Sequence, residues 1–529
     1  MAEELRMETA EILIDGKWQE ATSETTFHAF NPATGEALAR TFPVSEWADC
    51  DLALDAASRA ATALQTMPPD KLAAFLDAYA ANLVAASAAI VEAANEETGL
   101  PVAPRLKDHE LPRTVNQLRE AAKAVREESW KNPILDLERN IRSCFGPIGP
   151  VVVFGPNNFP LAFNGVSGGD FAAAIAAGNP VIAKAHPLHP NTTRLLAIEA
   201  NKAAVETGMP DGTVQMIYNI SNEDGLRLVS DPRIGAVAFT GSRAAGLALK
   251  KSADEAGKPI YLEMSSINPV IFLPGAIAQD EDRLTRELAD SCLAAAGQQC
   301  TSPNLFFLWK DSNSESLITK LAGIFDQRAP QPLLSLAGKS HLESGVSSLL
   351  NAGAQLVTGG HEVDAPGYRY AHTVLRVSAS QFLARHRDLE REVFGNTTMA
   401  VTVENTEELV AILELLEGNL TGSIYSSKSG IDDSLYAQIE PLLRKKVGRL
   451  LNDKMPTGVA VSPAMQHGGP FPATSHPGFT AVGIPTAIAR FAMLQCYDGV
   501  REDRLPPVLR NTIQNPHTWR SINGAWTRG

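Results

Sequence analysis

The chain has 529 residues, 44% of them hydrophobic and 20% charged, which is enough apolar mass for several cores and excludes a disordered or fibrous protein. A formal net charge of −14 repels a phosphate backbone and excludes nucleic acid as the main partner. The five cysteines, Cys50, Cys144, Cys292, Cys300 and Cys496, are odd in number and include no C-x-x-C pair, which excludes a disulfide framework or a zinc cage.

The first residues, Met1-Ala-Glu-Glu-Leu-Arg6, are acidic and lack the apolar stretch of a signal peptide, and no later apolar run is long enough to span a bilayer. A cytoplasmic protein with no membrane partner is the expectation. From Glu11 to Trp18 apolar and polar residues alternate around Asp15-Gly16, the signature of a hairpin, and Asn31-Pro32 with Thr34-Gly35 marks the next turn. From Ala48 to about Leu100, and again from about His109 to Glu128, Ala and Leu recur at helical spacing among charges. These segments read as amphipathic helices around a core. After Gly146 to Pro150 the pattern changes, and Val151 to Phe154 reads as a fully buried strand ended by Gly155-Pro156.

Short β-branched runs then alternate with Ala-rich stretches: Val181-Ile182, Val214 to Ile217, Ala236 to Phe239 and Ile260 to Leu262. This is the βαβ pattern of an open, mostly parallel sheet. From Asn268 to about Val461 the mixture repeats, predicting a second α/β domain, whereas the tail after Phe491 has no strong period.

Cys300 lies in Gly297-Gln-Gln-Cys-Thr-Ser-Pro303, directly after the helix-like run Arg286 to Ala296. Taken alone, such a cysteine is more often a small buried hydrophobe than a nucleophile. Four further segments occur in order around it: Pro156-Asn-Asn-Phe-Pro160, Phe239-Thr-Gly-Ser242, Glu263-Met-Ser-Ser-Ile-Asn-Pro269 and Glu392-Val-Phe-Gly395. Together the five motifs resemble the aldehyde dehydrogenase superfamily, over nearly the whole chain.

The resemblance implies an α/β fold of two open parallel-sheet domains plus a small β oligomerisation element. The cofactor-binding domain would comprise residues 1–128 and 147–262, the catalytic domain 263–468, and the bridging or oligomerisation segments 129–146 and 469–529. It implies NAD(P)-dependent oxidation of an aldehyde through a thioester on Cys300. Asn158 and the Cys300 backbone N–H would hold the oxyanion, and Glu263, after a strand-like run, would be the base that activates water. The turn Thr240-Gly-Ser242 precedes a helical run, where free N–H groups favour a pyrophosphate; Gly241 and Ser242 match the family's phosphate turn. Glu392 and Phe394 match the residues at the nicotinamide ribose and ring, although Asn396 replaces the usual proline. Lys184 matches the lysine at the adenosine ribose. Three residues on, Pro187 replaces a frequent Glu, removing a clash with a 2′-phosphate, so NADP is the expected cofactor with NAD also possible.

Lys184-Ala-His-Pro187 and Met465-Gln-His-Gly-Gly-Pro470 are similar to the branch that contains α-ketoglutarate semialdehyde (2,5-dioxopentanoate) dehydrogenases and NADP-linked fatty-aldehyde dehydrogenases. That implies a small-molecule aldehyde substrate, 2,5-dioxopentanoate or another aliphatic or aromatic aldehyde, and a homo-oligomer, a dimer or dimer of dimers, built with Asn140 to Phe145 and the tail. Leu161 to Val166, with Phe163 and Val166, and the residues Ser302 and Phe471 are expected to line the pocket; three of these four side chains suit an apolar chain, and a carboxylated substrate needs an arginine or lysine not evident in the motifs. No metal is expected: His186 and His189 form an isolated H-x-x-H, and His467 reads as structural or as a pocket wall rather than a base. A CoA-acylating enzyme, for which no hydrolytic base is needed, and a non-catalytic protein on the same fold stand as alternatives, both disfavoured by the presence of Glu263 beside Cys300.

Overall fold

A computed structural model describes residues 9–513 and 515–529; the segment Met1 to Arg6 lies outside the described residues. The first sheet is built from β1 (Ile12–Ile14), β2 (Lys17–Gln19), β3 (Val151–Phe154), β4 (Val181–Lys184), β5 (Val214–Ile217), β6 (Ala236–Thr240) and β7 (Ile260–Glu263). Its spatial order is β7-β6-β3-β4-β5-β1-β2. The five strands from β3 to β7 run parallel, and every residue of β3 is buried, because helices cover both faces. At the opposite edge the expected hairpin forms: Asp15 and Gly16 both take positive φ, and Ile14 pairs with Lys17.

The predicted helical region folds as α1 (Trp47–Leu64), α2 (Pro69–Ala85), α3 (Ser87–Thr98) and α4 (Leu111–Glu127). Pro68, Pro69 and Gly99 supply the breaks that composition alone blurs; Gly99 ends α3 in the left-handed conformation that glycine adopts freely. Among the described residues no single helix is long and apolar enough to cross a membrane. Apolar faces of α1, α2 and α4 share one core with β3, β4 and β6.

The second sheet contains β8 (Val270–Phe272), β9 (Leu305–Trp309), β10 (Gln355–Thr358), β11 (Thr373–Ser378), β12 (Thr397–Val403), β13 (Asn419–Tyr425) and β14 (Val447–Asn452), in the order β10-β11-β12-β9-β8-β13-β14. Only β10 is antiparallel. The boundary expected at residue 262 falls inside β7, whose last residue is Glu263. Although it lacks a clear period, the tail also forms strands: Ala492–Asp498, Trp519–Ile522 and Ala525–Arg528 join Ile134–Asp136 and Ile141–Pro147 in a five-stranded sheet. Side chains on this small sheet alternate across a partly exposed surface, so the tail carries little of the apolar periodicity that marks a core.

In the first sheet, β3 sits in the middle; β4 and β5 lie to one side, β6 and β7 to the other. The chain therefore reverses direction of travel between β3 and β6, and the loops at their carboxyl ends diverge to open a crevice. Asn158 follows β3, Lys184 ends β4, Ser242 follows β6 and Glu263 ends β7, so one edge of the sheet gathers all four.

A buried ion pair fixes the later chain to the helix Gly169–Ala176, which packs in the core of this sheet. Arg490 lies 2.7 Å from Asp170, is 3% exposed, and places its guanidinium 5.0 Å from the Phe479 ring centre and 4.7 Å from that of Phe491. Removing one partner strands the other's charge in an apolar site. Asp170→Asn is expected to destabilise the protein by about 3 kcal/mol, seen as a lower urea midpoint, whereas Glu404→Gln at the exposed Lys310 pair leaves the midpoint unchanged.

Candidate active site

The helix Pro274–Leu293 ends three residues earlier than the helix-like pattern suggests. Ala295, Ala296 and Gly297 then take positive φ, an unfavourable path for the two alanines that turns the chain out of the helix and toward Cys300. At Gly297 a glycine is required twice over: φ is +70°, and an added Cβ would lie 2.1 Å from the carbonyl oxygen of Gly395. This contact seats the Cys300 loop against the loop that carries Glu392 and Phe394.

Two asparagines hold the Cys300 segment. Asn268 Nδ2 donates to the carbonyls of Cys300 and Ser302, each at 2.9 Å, while its Oδ1 accepts from Ser266 and Thr421. Asn158 Nδ2 donates to Gln298 O at 3.0 Å, which leaves its second amide hydrogen free. The Cys300 N–H meets no protein acceptor among the described residues.

Behind Asn158, the buried Glu110 accepts from the N–H groups of Leu161 and Ala162 at 2.9 and 3.0 Å and also from Arg105, which donates in turn to Asn158 O at 3.1 Å. Asn158 is therefore held from both sides of its loop.

Cys300 Sγ lies 3.4 Å from His467 Nε2, and the same nitrogen lies 3.0 Å from Glu263 Oε1. His467 and Glu263 are each 2% exposed. His467 reaches this position because residues after it pair with the end of β7: Met264 N donates to Ala473 O, and Glu263 bridges Thr474. Its neighbour Gly468 permits the approach, since a Cβ there would lie 2.3 Å from Phe479 O. Burial, then the nearby Glu263 carboxylate, pushes the Cys300 thiol well above its usual range, and Arg113 pulls it back in part. A thiol, an imidazole and a carboxylate that share one ring nitrogen can pass a proton from sulfur toward the carboxylate. The second oxygen of Glu263 is buried without a protein partner, a vacant acceptor for a water O–H.

These three ligand atoms all lie within 4.8 Å of one another, so the cluster could also ligate a thiophilic metal ion. His186 and His189 stack with ring centres 5.2 Å apart, and His189 Nε2 meets Pro156 O at 2.9 Å, which accounts for that pair as packing.

A cavity of about 690 Å³ opens onto Cys300 and is lined by His467, Gln299, Phe159, Phe163, Arg105 and Arg113 among others. Of the residues expected on its wall, Phe163 is there. Val166 instead is fully buried in the first core, its carbonyl accepting from Tyr79 at 3.0 Å. Ser302 is buried under the Cys300 loop and meets Asn268 through its carbonyl. Phe471 is 56% exposed, beside Arg243 rather than in the cavity. The arginines were not legible because they sit more than forty residues before Asn158, on and before α4, in a segment with no motif.

Along the carboxyl edge of the first sheet, Lys184 makes no hydrogen bond or ion pair among the described residues, and burial pulls its ammonium down to about 8. An orphaned ammonium at this edge fits a ligand that brings acceptor oxygens. Ser242 caps the helix Arg243–Glu255 by accepting from Ala245 N, leaving the first N–H groups and the dipole directed at the crevice. Gly241 has a packing reason as well: a Cβ there would lie 2.7 Å from the Phe239 ring. Glu392 lines a separate cleft of about 280 Å³ with Ser265 and Ser266, and burial raises it to about 7 despite bonds from both. Phe394 is half-buried on the same loop. In the position of the usual proline, Asn396 donates to Tyr370 O and contacts His372 Nδ1, both at 2.8 Å, and so anchors that loop by hydrogen bonds. The residues present thus fit a dinucleotide.

The model of the aldehyde dehydrogenase family matches residues 18–440. The chain is 38% identical to alpha-ketoglutaric semialdehyde dehydrogenase 2 of Azospirillum brasilense, over 95% of this chain and 97% of that protein. It is 34% identical to the alpha-ketoglutaric semialdehyde dehydrogenase of Acinetobacter baylyi, over 96% and 97%. In fold it resembles lactaldehyde dehydrogenase from Escherichia coli, with a TM-score of 0.80 at 22% identity, covering 92% of this chain and 98% of that one.

Thiol labelling reads out the geometry. Cys50, Cys144 and Cys292 are buried away from any reagent, so iodoacetamide at pH 7 should modify the exposed Cys496 and, through the cavity, Cys300, and spare these three. Because the Cys300 thiol is itself raised, its labelling accelerates as pH rises from 7 to 9. His467→Gln should slow labelling of Cys300 at pH 7 by about tenfold or more and leave Cys496 unchanged; equal rates with and without the imidazole would deny the Cys300–His467 contact any influence on the thiol.

Proposed function

The chain belongs to the aldehyde dehydrogenase family, and from that premise we propose that it oxidises an aldehyde to a carboxylic acid through a thioester on Cys300, with NADP as cofactor and NAD also accepted. The observation that carries the reading is the meeting of Cys300, His467 and Glu263 at one ring nitrogen, beside Asn158 and at the floor of a cavity. For substrate we propose 2,5-dioxopentanoate, giving 2-oxoglutarate; two relatives named for that activity, each matching over at least 95% of this chain, support it.

In this reading Cys300 Sγ attacks the aldehyde carbon as its proton passes to His467 Nε2. The carbonyl oxygen becomes an alkoxide, met by the free amide hydrogen of Asn158 and by the Cys300 N–H. Those donors are fixed before the charge develops, Asn158 by Arg105 and Glu110, Cys300 by Asn268. Lys184, Ser242, Gly241, Glu392 and Phe394 would hold the dinucleotide, whose bound nicotinamide supplies the acceptor for the hydride leaving the thiohemiacetal carbon. Glu263 then takes a proton from water through its unpartnered oxygen, hydroxide adds to the thioester carbon, and the C–S bond breaks. The acid departs, the His467 proton returns to sulfur, and Glu263 releases the proton it took from water to solvent. Assigning His467 to proton transfer goes beyond the wall role its sequence context suggested. Retention of Glu263 in contact with this cluster favours hydrolysis over transfer of the acyl group to CoA.

One face of the five-stranded sheet exposes Ile134, Leu494, Trp519 and Trp526, an apolar surface larger than scattered single residues. It supports assembly into a homo-oligomer through that element.

In Glu263→Gln, rapid mixing with aldehyde and oxidised cofactor should give one burst of reduced cofactor per Cys300, then a steady rate lower by about 100-fold or more, because thioester hydrolysis loses its base. Cys300→Ser should abolish the burst while leaving cofactor affinity intact. A Glu263→Gln enzyme with unchanged steady turnover would remove Glu263 from the hydrolytic step.

A further inference from the structure

Arg113, on the first turn of α4, borders the Cys300 cavity and has no ion-pair partner among the described residues. Its Nε donates to Gln117 Oε1 at 3.3 Å and its Nη1 to Val459 O at 3.0 Å, both neutral acceptors. Nη2 is buried with no acceptor. The guanidinium lies 5.1 Å from the Phe163 ring centre and 6.0 Å from that of Phe159. A cation in such a place is not free to turn to water, and an unmatched buried N–H carries a desolvation cost that a bound anion removes.

The other arginines nearby make their contacts elsewhere, although Arg449, outside the cavity lining, also has an unmatched Nε–H. Arg105 is bound to Glu110 and to Asn158 O. Arg449 donates to the carbonyls of Pro456 and Gly458, and so shapes the loop whose Val459 carbonyl holds Arg113. Glu110, the buried carboxylate of the cavity, has both oxygens engaged by Arg105 and by the Leu161 and Ala162 N–H groups. Gln117, in turn, is fixed by donating to Ala162 O at 3.0 Å. Asp108 and His109 also line the cavity but are exposed, so the positive charge held in its wall without a carboxylate partner is centred on Arg113, held by α4, by the 456–459 loop and by aromatic rings.

We propose that Arg113 is the carboxylate receptor of the substrate cavity, so that the enzyme selects aldehydes bearing an anionic group at the far end of a short chain. This rests on the aldehyde oxidation proposed above and adds to it a residue that reads the tail of the substrate, where Asn158, Glu263 and Cys300 read only the aldehyde. The anion would pair with the guanidinium in a charge-assisted bond, while Phe159 and Phe163 pack against the intervening methylene groups. The same guanidinium charge favours the Cys300 thiolate, so a loss of activity alone does not identify its role.

The test compares 5-oxopentanoate with hexanal, a neutral aldehyde of similar length, in the wild type, Arg113→Gln and Arg113→Lys. Arg113→Gln should lower kcat/KM for 5-oxopentanoate by about thirtyfold, chiefly through KM, as expected for one lost charge-assisted contact. Hexanal should lose several-fold less than 5-oxopentanoate, and through kcat rather than KM, because it loses only the charge that favours the thiolate, and Arg113→Lys, which keeps a charge without the planar fork, should fall between for the carboxylate. Glutarate binding to Cys300→Ser, measured by calorimetry, should weaken by the same factor when Arg113→Gln is added, a readout independent of turnover. Equal losses on both aldehydes, with a shifted pH profile of Cys300 labelling, would reassign Arg113 to the thiolate and overturn the proposal. An unchanged glutarate affinity would overturn it too. Failure of the wild type to oxidise either aldehyde would instead defeat the oxidation itself.

Discussion

Three groups that chemistry normally keeps apart in an apolar interior, a thiol, an imidazole and a carboxylate, meet here at a single nitrogen. The contacts from His467 Nε2 to Cys300 Sγ and to Glu263 Oε1 are 3.4 and 3.0 Å, and the three residues come from positions spread over more than two hundred residues of chain. No local sequence preference can bring them together. Each is delivered by a separate device: Glu263 by the end of a parallel strand, Cys300 by a turn of left-handed residues, and His467 by a loop that pairs with the backbone just beyond Glu263.

The supporting contacts follow from the need to keep that meeting fixed. A nucleophile misplaced by an ångström loses much of its advantage, so the polar groups around it are themselves tied. Asn268 grips the carbonyls on either side of Thr301, and Gly297 lets the Cys300 loop touch the backbone of Gly395. Through Gly395 the same seat reaches Glu392 and Phe394, which couples the placement of the thiol to the loop proposed to hold the nicotinamide end of the cofactor. The ion pair of Arg490 and Asp170 anchors the later chain, which includes the His467 loop, against the helix Gly169–Ala176 in the core of the first sheet. Burial that raises the thiol is thus answered by groups arranged around it, with Arg113 supplying the compensating charge.

Much of the fold was legible because its signals are local. Val151 to Phe154 is buried on both faces and reads as a continuous apolar run; Asp15-Gly16 makes the turn its residues demand; Asn158, Glu263 and Cys300 stand in motifs whose order is itself information. The helix before Cys300 was read too long because Ala294 to Ala296 have high helix propensity, and tertiary contact at Gly297 overrides it. Pocket residues were read less well. Val166 and Ser302 lie within motif segments but face the core, and proximity in sequence does not say which way a side chain points in a loop without period. Arg113 sits on an ordinary amphipathic helix, and nothing in its spacing distinguishes it from the exposed Arg119 on the same helix. The motif around His467 marks it as structural or as a pocket wall, and it does line the cavity, but its contacts with Cys300 and Glu263 are not legible because those partners are distant in sequence.

The proposed mechanism requires a covalent acyl group carried by Cys300. Its most direct measurement is peptide mass spectrometry of enzyme quenched in acid during turnover of an aldehyde with oxidised cofactor, using the hydrolysis-impaired Glu263→Gln protein so that the intermediate accumulates. The predicted result is an added mass equal to the acyl group, less the displaced hydrogen, on the peptide that contains Cys300 and removable by hydroxylamine. Turnover with no adduct at Cys300, or an adduct on another residue, would contradict it.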